Sequence, residues 1–269
     1  MDHSLFSKPR DLFIDIVNLK DYVQIDSVSH IYQSLKTSVQ KPLKMILLYG
    51  RPGTGKSMLL HKLHHDLSKH QKVCMIDIPI IDENDFLRVL AQKIYSYASR
   101  DPISLTNFLE LSAAVNYPVI PIVLLDEAQL YSSSLMEKIR LISDARALKF
   151  VITLHKTDNE DIIAKEHFQT RIWESIELQN ASYEELKVYI QKKLLKANCF
   201  DVANMINEKN IKLISKLTRG NYRESNKLMF ALFNLYTWYE EHNPTKIKYN
   251  ALNTKWIEMA AIHTGLIRA

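Results

Sequence analysis

Eight consecutive residues, Gly50-Arg51-Pro52-Gly53-Thr54-Gly55-Lys56-Ser57, restrict this chain more than any other feature, because they satisfy G-x-x-x-x-G-K-[ST] at every position. The flanks supply the context that the pattern needs. Met45-Ile46-Leu47-Leu48-Tyr49 before it is a short apolar run suited to a strand of a parallel sheet, buried on both faces. After it, Leu59, Leu63 and Leu67 recur at helical spacing. The loop therefore joins the carboxyl end of a strand to the amino end of a helix, where free N–H groups and the helix dipole favour phosphate. The chain has only five glycines in 269 residues, and three of them, Gly50, Gly53 and Gly55, lie in this loop, as expected of a site. Glycines let the backbone approach a polyphosphate, Lys56 places a point charge at the β and γ oxygens, and the Ser57 hydroxyl can ligate Mg²⁺. With Met58, Gly50 to Ser57 form the expected phosphate-contacting set. An ordinary glycine-rich turn is the plain alternative, and the full match in context argues against it.

A second element lies about 70 residues on. Val119 to Leu125 (VIPIVLL) reads as another buried strand and delivers Asp126-Glu127 at its carboxyl end, where α/β sheets hold ligands. In this Walker B position Asp126 would hold magnesium through water, and Glu127 would polarise an attacking water. A module that only binds nucleotide has no need of the second carboxylate. The alternative, a solvated acidic loop after a core strand, weakens beside the phosphate loop.

Further strands are predicted at Lys72 to Ile78, Phe150 to Leu154 and Ile172 to Leu178. Helices are predicted over Asp85 to Ala98, Ser133 to Ala147 and a short piece near Glu160 to Lys165. The expectation is an α/β fold: a five-stranded parallel sheet with helices on both faces over residues 1–180, its N-terminal lead segment included. At Asn180 the pattern becomes purely helical. Ser182-Tyr183-Glu184-Glu185 has capping-box spacing and opens a helix with Leu186, Ile190 and Leu194. Helices near Asn207 to Leu217, Arg223 to Glu240 and Asn253 to His263 follow, so 181–269 is expected to be an α-helical lid. The helix with Leu228, Leu232 and Leu235 also carries Phe230, Phe233, Tyr236 and Trp238, which suits a buried lid helix better than a partner-binding face.

Composition removes other classes. With 46% apolar and 24% charged residues, disorder and fibrous arrays are excluded. Cys74 and Cys199 stand far apart without metal spacing, so neither a disulfide framework nor a zinc site is expected, and a reducing cytoplasm fits. No run approaches the roughly 20 apolar residues of a membrane span, and the start MDHSLFSKPRD lacks a signal core. The net charge of +5 arises in the last third, with about 14 basic and 8 acidic residues after Asn180. Lys187, Lys192, Lys193, Lys196, Lys212 and Lys216 there suit a nucleic-acid path or a merely solvated basic face. His61, His64, His65 and His70 cluster after the phosphate loop, but without the glutamate of a helix metal motif they read as surface histidines.

Gly50 to Ser57, the segment Leu124-Leu125-Asp126-Glu127-Ala128-Gln129, and a helical region containing Gly220-Asn221-Tyr222-Arg223 together make the chain resemble the AAA+ ATPases, from Tyr22 to about His263. It looks most like the branch of type II secretion protein A ATPases, transposition helper ATPases and origin-recognition-like proteins. The resemblance implies ATP and Mg²⁺ as ligands and further roles for single residues. Arg223 matches the sensor 2 arginine, a guanidinium clamp on the γ-phosphate. Arg171 stands where relatives place an arginine finger for a neighbouring subunit, which implies a homo-oligomer; a structural arginine at the core–lid junction is the alternative. His155, with Lys156 and Thr157 as alternatives, matches sensor 1, and this strand lacks the Gly-Gln-Pro tract of the secretion relatives. Tyr22-Val23-Gln24-Ile25 lies where the family packs adenine, with Ile25 as the contact.

The expected function is ATP hydrolysis coupled to switching or remodelling a macromolecular partner. A DNA-linked role in replication, transposition or uptake stands beside two others: a secretion or envelope-assembly ATPase held at the inner membrane by a protein partner, and a non-hydrolysing scaffold. A small-molecule kinase is disfavoured by the helical C-terminal region.

Overall fold

Five parallel strands form one sheet in the order β2-β3-β4-β1-β5, comprising β1 (Met45–Gly50), β2 (Val73–Ile76), β3 (Ile122–Leu125), β4 (Lys149–His155) and β5 (Ile172–Leu178). The computed structural model describes residues 4–98, 100–115, 117–156 and 172–267. All four β3 residues are buried, as are most of β1 and β4, so the sheet is covered on both faces and its centre needs the near-continuous apolar runs seen in the sequence.

The chain divides into two compact units. One comprises residues 30–51 and 56–178 and holds the sheet. Its core gathers Leu47, Val123, Leu125, Phe150 and Ile152 from the strands. Helices α4 (Glu83–Tyr95), α5 (Leu105–Val115) and α6 (Ser133–Asp144) add Phe86, Leu90, Phe108, Leu135 and Ile139. The other unit comprises residues up to Ser29, Pro52–Gly55, and Gln179 onward. Its helices are α1 (Ser7–Leu12), α7 (Tyr183–Lys196), α8 (Phe200–Met205), α9 (Glu208–Thr218), α10 (Tyr222–His242) and α11 (Thr254–His263). Phe6 and Phe13 of the lead segment are fully buried in the same cluster as Leu228, Leu232 and Phe233. The lead segment, read from sequence as part of the first region, thus groups with the helical unit. Helix α2 (Asp26–Gln40) lies mostly, and α3 (Lys56–Leu67) wholly, within the unit that holds the sheet, and α3 buries Leu59, Leu63 and Leu67.

Element ends move for definable reasons. The third strand starts at Ile122 rather than Val119, because Pro121 has no N–H and Val119 is 56% exposed. Helix α4 starts earlier than predicted, with Asp82 accepting from Asp85 N at 2.8 Å, and stops at Tyr95 because Ser96 turns left-handed at φ 57°. Helices α1, α5 and α8 were not anticipated. The short helix expected near Glu160 to Lys165 lies outside the described residues. Ser182 and Glu185 form the expected capping box, and α10 buries Leu228, Leu232, Phe233 and Tyr236 while Trp238 stays 47% exposed.

Candidate nucleotide site

Strand β4 lies between β1 and β3, pairing Gly50 with His155 and Leu125 with Ile152. The phosphate loop, the Asp126-Glu127 pair and the end of β4 therefore leave the same carboxyl edge as neighbours, where an α/β sheet binds ligands. Backbone bonds continue this alignment past the strands, with Asp126 N donating to Ile76 O at 3.0 Å and Lys156 N to Gly50 O at 2.9 Å.

Asp126 is buried, and the Thr153 hydroxyl of β4 donates to its Oδ1. The amide of Glu127 turns back onto the same pair, 3.0 Å from Asp126 Oδ1 and 3.1 Å from Thr153 Oγ1. Glu127 takes a left-handed backbone, φ 52°, which a non-glycine residue adopts at a cost. That turn ends the strand and directs the carboxylate onto two partners. Gln129 Nε2 donates to Glu127 Oε2 at 2.5 Å, and His155 Nε2 lies 3.0 Å from Oε1. Gln129 also meets His155 directly, through Nε2 to Nδ1 at 3.3 Å and through Oε1, which accepts from His155 N at 3.4 Å. Sequence reasoning selected His155 but missed Thr153 and Gln129. The β-strand alternation that puts Thr153 and His155 on one face held the signal.

In the phosphate loop, Lys56 is buried and its ammonium donates to Gly50 O at 2.8 Å and Arg51 O at 3.0 Å. Those carbonyls hold a charge that a phosphate would otherwise receive. Thr54 is buried, Ser57 and Met58 are half-buried in the first turn of α3, and Arg51 is exposed. Gly55 has φ +97° and nothing within 4 Å of where a Cβ would stand. Gly53, at φ +81°, differs: a Cβ would meet Asn221 Oδ1 at 2.3 Å and Arg223 Cβ at 2.8 Å. One loop glycine thus faces open space and the other faces protein.

Within the helical unit, Asn221 caps α10, accepting from Glu224 N at 3.2 Å, and its Nδ2 donates to Pro52 O at 2.7 Å. Arg223 Nε pairs with Asp15 Oδ2 at 3.0 Å, and both side chains are more than 40% exposed. Ile25 is buried beside a segment whose Gln24 carbonyl accepts from Lys192 Nζ at 2.9 Å. The basic residues separate into two groups. Lys187 pairs with Glu208, Lys196 donates to Lys20 O and Tyr22 O, and Lys193 is buried against Tyr189. Lys209, Lys212 and Lys216 instead stand exposed at helical spacing along α9, with exposed Arg219 just past its end. Arg171 lies outside the described residues. Among the described residues no cluster of metal-binding side chains occurs, and no helix is long and apolar enough to cross a membrane.

A five-stranded parallel sheet whose strand next to one edge leads through a phosphate-loop sequence into a helix, followed by a helical C-terminal region, is the P-loop AAA+ fold. Residues 39–161, which contain both motifs, match the family model for the AAA domain. The replication factor C small subunit of Aeropyrum pernix is 32% identical over 142 residues, covering 51% of this chain. The chain spans 36% of that protein's length. The fold of this chain is similar to those of origin-recognition proteins and of a branch migration motor. Cdc6p from Pyrobaculum aerophilum superposes with a TM-score of 0.64 at 15% identity, covering 96% of this chain and 71% of the other. The ORC1 protein of Aeropyrum pernix, solved in complex with DNA, gives 0.64 at 14% identity, covering 95% and 69%. The RuvB Holliday junction branch migration motor of Thermotoga maritima gives 0.56 at 20% identity, covering 97% and 72%.

Proposed function

We propose that the chain binds ATP with Mg²⁺ and hydrolyses it to switch or remodel a DNA-associated partner. The observation that carries hydrolysis is the Glu127 carboxylate at the carboxyl edge of β3, beside the buried Asp126 and held through both its oxygens. Binding alone has no use for that carboxylate. The residues fit the ligands: open space faces Gly55, Lys56 has exchangeable carbonyl partners, and Asp126 with the Ser57 hydroxyl is an oxygen donor set suited to a hard cation. Mg²⁺, when bound, neutralises charge on the β and γ oxygens. Glu127 takes the proton of a water whose oxygen attacks the γ-phosphorus. The bond from that phosphorus to the β–γ bridging oxygen breaks, its electron pair leaving with ADP, and inorganic phosphate is formed. Arg223 would answer the γ-phosphate, which requires leaving Asp15, and Arg171 would serve a neighbouring copy in a homo-oligomer.

DNA is favoured as the partner class by two things: the replication factor, DNA-complexed and Holliday junction proteins to which the chain is similar, and the exposed Lys209, Lys212 and Lys216 along α9 with Arg219 just past it. The test is steady-state ATP turnover at low and raised salt, with and without duplex and single-stranded DNA, using Lys56→Ala as blank. Turnover above the blank that rises with DNA and loses the rise with salt supports both parts. Turnover that ignores DNA would sink the DNA part and leave hydrolysis standing.

A further inference from the structure

We infer that Gln129 and His155 are positioning residues for Glu127, Gln129 acting largely by fixing which imidazole nitrogen carries the proton. The inference rests on the reading of Glu127 as the base. The geometry leaves one consistent assignment of donors. Were the Gln129 amide turned over, its oxygen would face Glu127 Oε2 at 2.5 Å, two acceptors in contact. The nitrogen must therefore face the carboxylate. That nitrogen has two hydrogens: one goes to Glu127 Oε2, the other points to His155 Nδ1 at 3.3 Å. With Nδ1 accepting, the ring proton sits on Nε2, which is the atom 3.0 Å from Glu127 Oε1. Gln129 Oε1 accepts from the His155 amide at 3.4 Å and so ties this arrangement to the backbone of β4.

The result is a closed ring in which each Glu127 oxygen receives one hydrogen. A carboxylate has about four lone-pair sites, so each oxygen keeps a lone pair for a water. The ring also holds a side chain that follows a left-handed residue on a short turn, where rotamer freedom would otherwise let the carboxylate swing away. The third-group logic of nucleophile, base and orienter is here shifted by one place: the base is oriented by an imidazole, and the imidazole by an amide. Thr153 takes no part in the ring, since its hydroxyl serves Asp126.

The test compares wild type, Gln129→Leu, Gln129→Glu, His155→Ala and Glu127→Gln for ATP turnover and, separately, ATP affinity. Gln129→Leu keeps the side-chain volume and removes both hydrogens. It is expected to lower kcat about 10- to 100-fold while ATP affinity and KM stay within about threefold. Gln129→Glu, which puts an acceptor against Glu127, is expected to fall at least as far. His155→Ala should lower kcat similarly, and adding Gln129→Leu to it should cost little more, because the two act through one ring. Gln129→Leu and Gln129→Glu turning over within twofold of wild type, while Glu127→Gln abolishes turnover, overturns the inference and leaves the base assignment intact. Glu127→Gln turning over like wild type removes the base assignment itself.

Discussion

The two units of this chain use polar side chains in opposite ways. In the sheet unit, chemistry-bearing groups are held by one another: Thr153 on Asp126, and Gln129 and His155 on Glu127. In the helical unit three cations instead fasten the lead segment, Lys192 on Gln24 O, Lys196 on Lys20 O and Tyr22 O, and Arg223 on Asp15. The first arrangement needs short partners at the ends of adjacent strands, which the parallel register places side by side. The second uses long, partly exposed side chains that can exchange partners at little cost. A fixed site thus stands in one unit and an adjustable set of contacts in the other.

Breaking the helical unit where its backbone is tightest should leave the sheet unit's site intact. Gly220 has φ +72°, and an added Cβ would lie 1.9 Å from the Ala181 carbonyl oxygen, a backbone atom that cannot step aside. Gly220→Ala is expected to destabilise the helical unit by about 3 kcal/mol or more, read as a fall in the urea midpoint.

Lys193 sharpens the comparison through pH. Burial pushes its pKa down to about 8, against the opposing pull of Asp21 and Asp15. Between pH 8 and about 10.5 the unfolded chain holds a proton that the folded chain has released, so stability rises with pH across that window. The full span is roughly 3 kcal/mol, of which the part between pH 7.5 and 9.5 is measurable by urea unfolding. Lys193→Met should flatten that slope. An equal slope in the variant would show that other groups carry it.

Gly55→Ala is the contrast to Gly220→Ala. With open space ahead of it, only the left-handed backbone resists, so about 1 kcal/mol of stability is at stake, whereas ATP affinity should drop far more than stability suggests. The smallest effect is expected at Asp15. Asp15→Asn removes a pair that is more than 40% exposed on both sides and should change stability by less than about 1 kcal/mol, measured by thermal unfolding.

The same difference between units governs what could be read from sequence. The five strands and the phosphate loop were legible because parallel strands and glycine spacing are local patterns: β5 spans the predicted residues, and Met45 to Tyr49 lies wholly within β1. The expected sites on Asp126 and Glu127 emerge at a strand end for the same reason. Gln129 was not legible as a partner of His155, since 26 residues separate them and only the β3–β4 register brings them together. Nor was the place of the lead segment, because Phe6 and Phe13 are two isolated aromatics whose partners lie some 220 residues away in α10. Among the lid lysines, sequence offered six equivalent cations. The fold makes them unequal by burying Lys193 and leaving Lys212 and Lys216 exposed.

One measurement bears most directly on the account: ATP affinity and single-turnover hydrolysis of Glu127→Gln beside wild type, at the same Mg²⁺ concentration. The account predicts affinity within about threefold of wild type and hydrolysis slowed by about 10²- to 10⁴-fold. Hydrolysis at the wild-type rate with ATP bound would contradict it, because the carboxylate that the sheet unit holds so closely would then have no part in the chemistry.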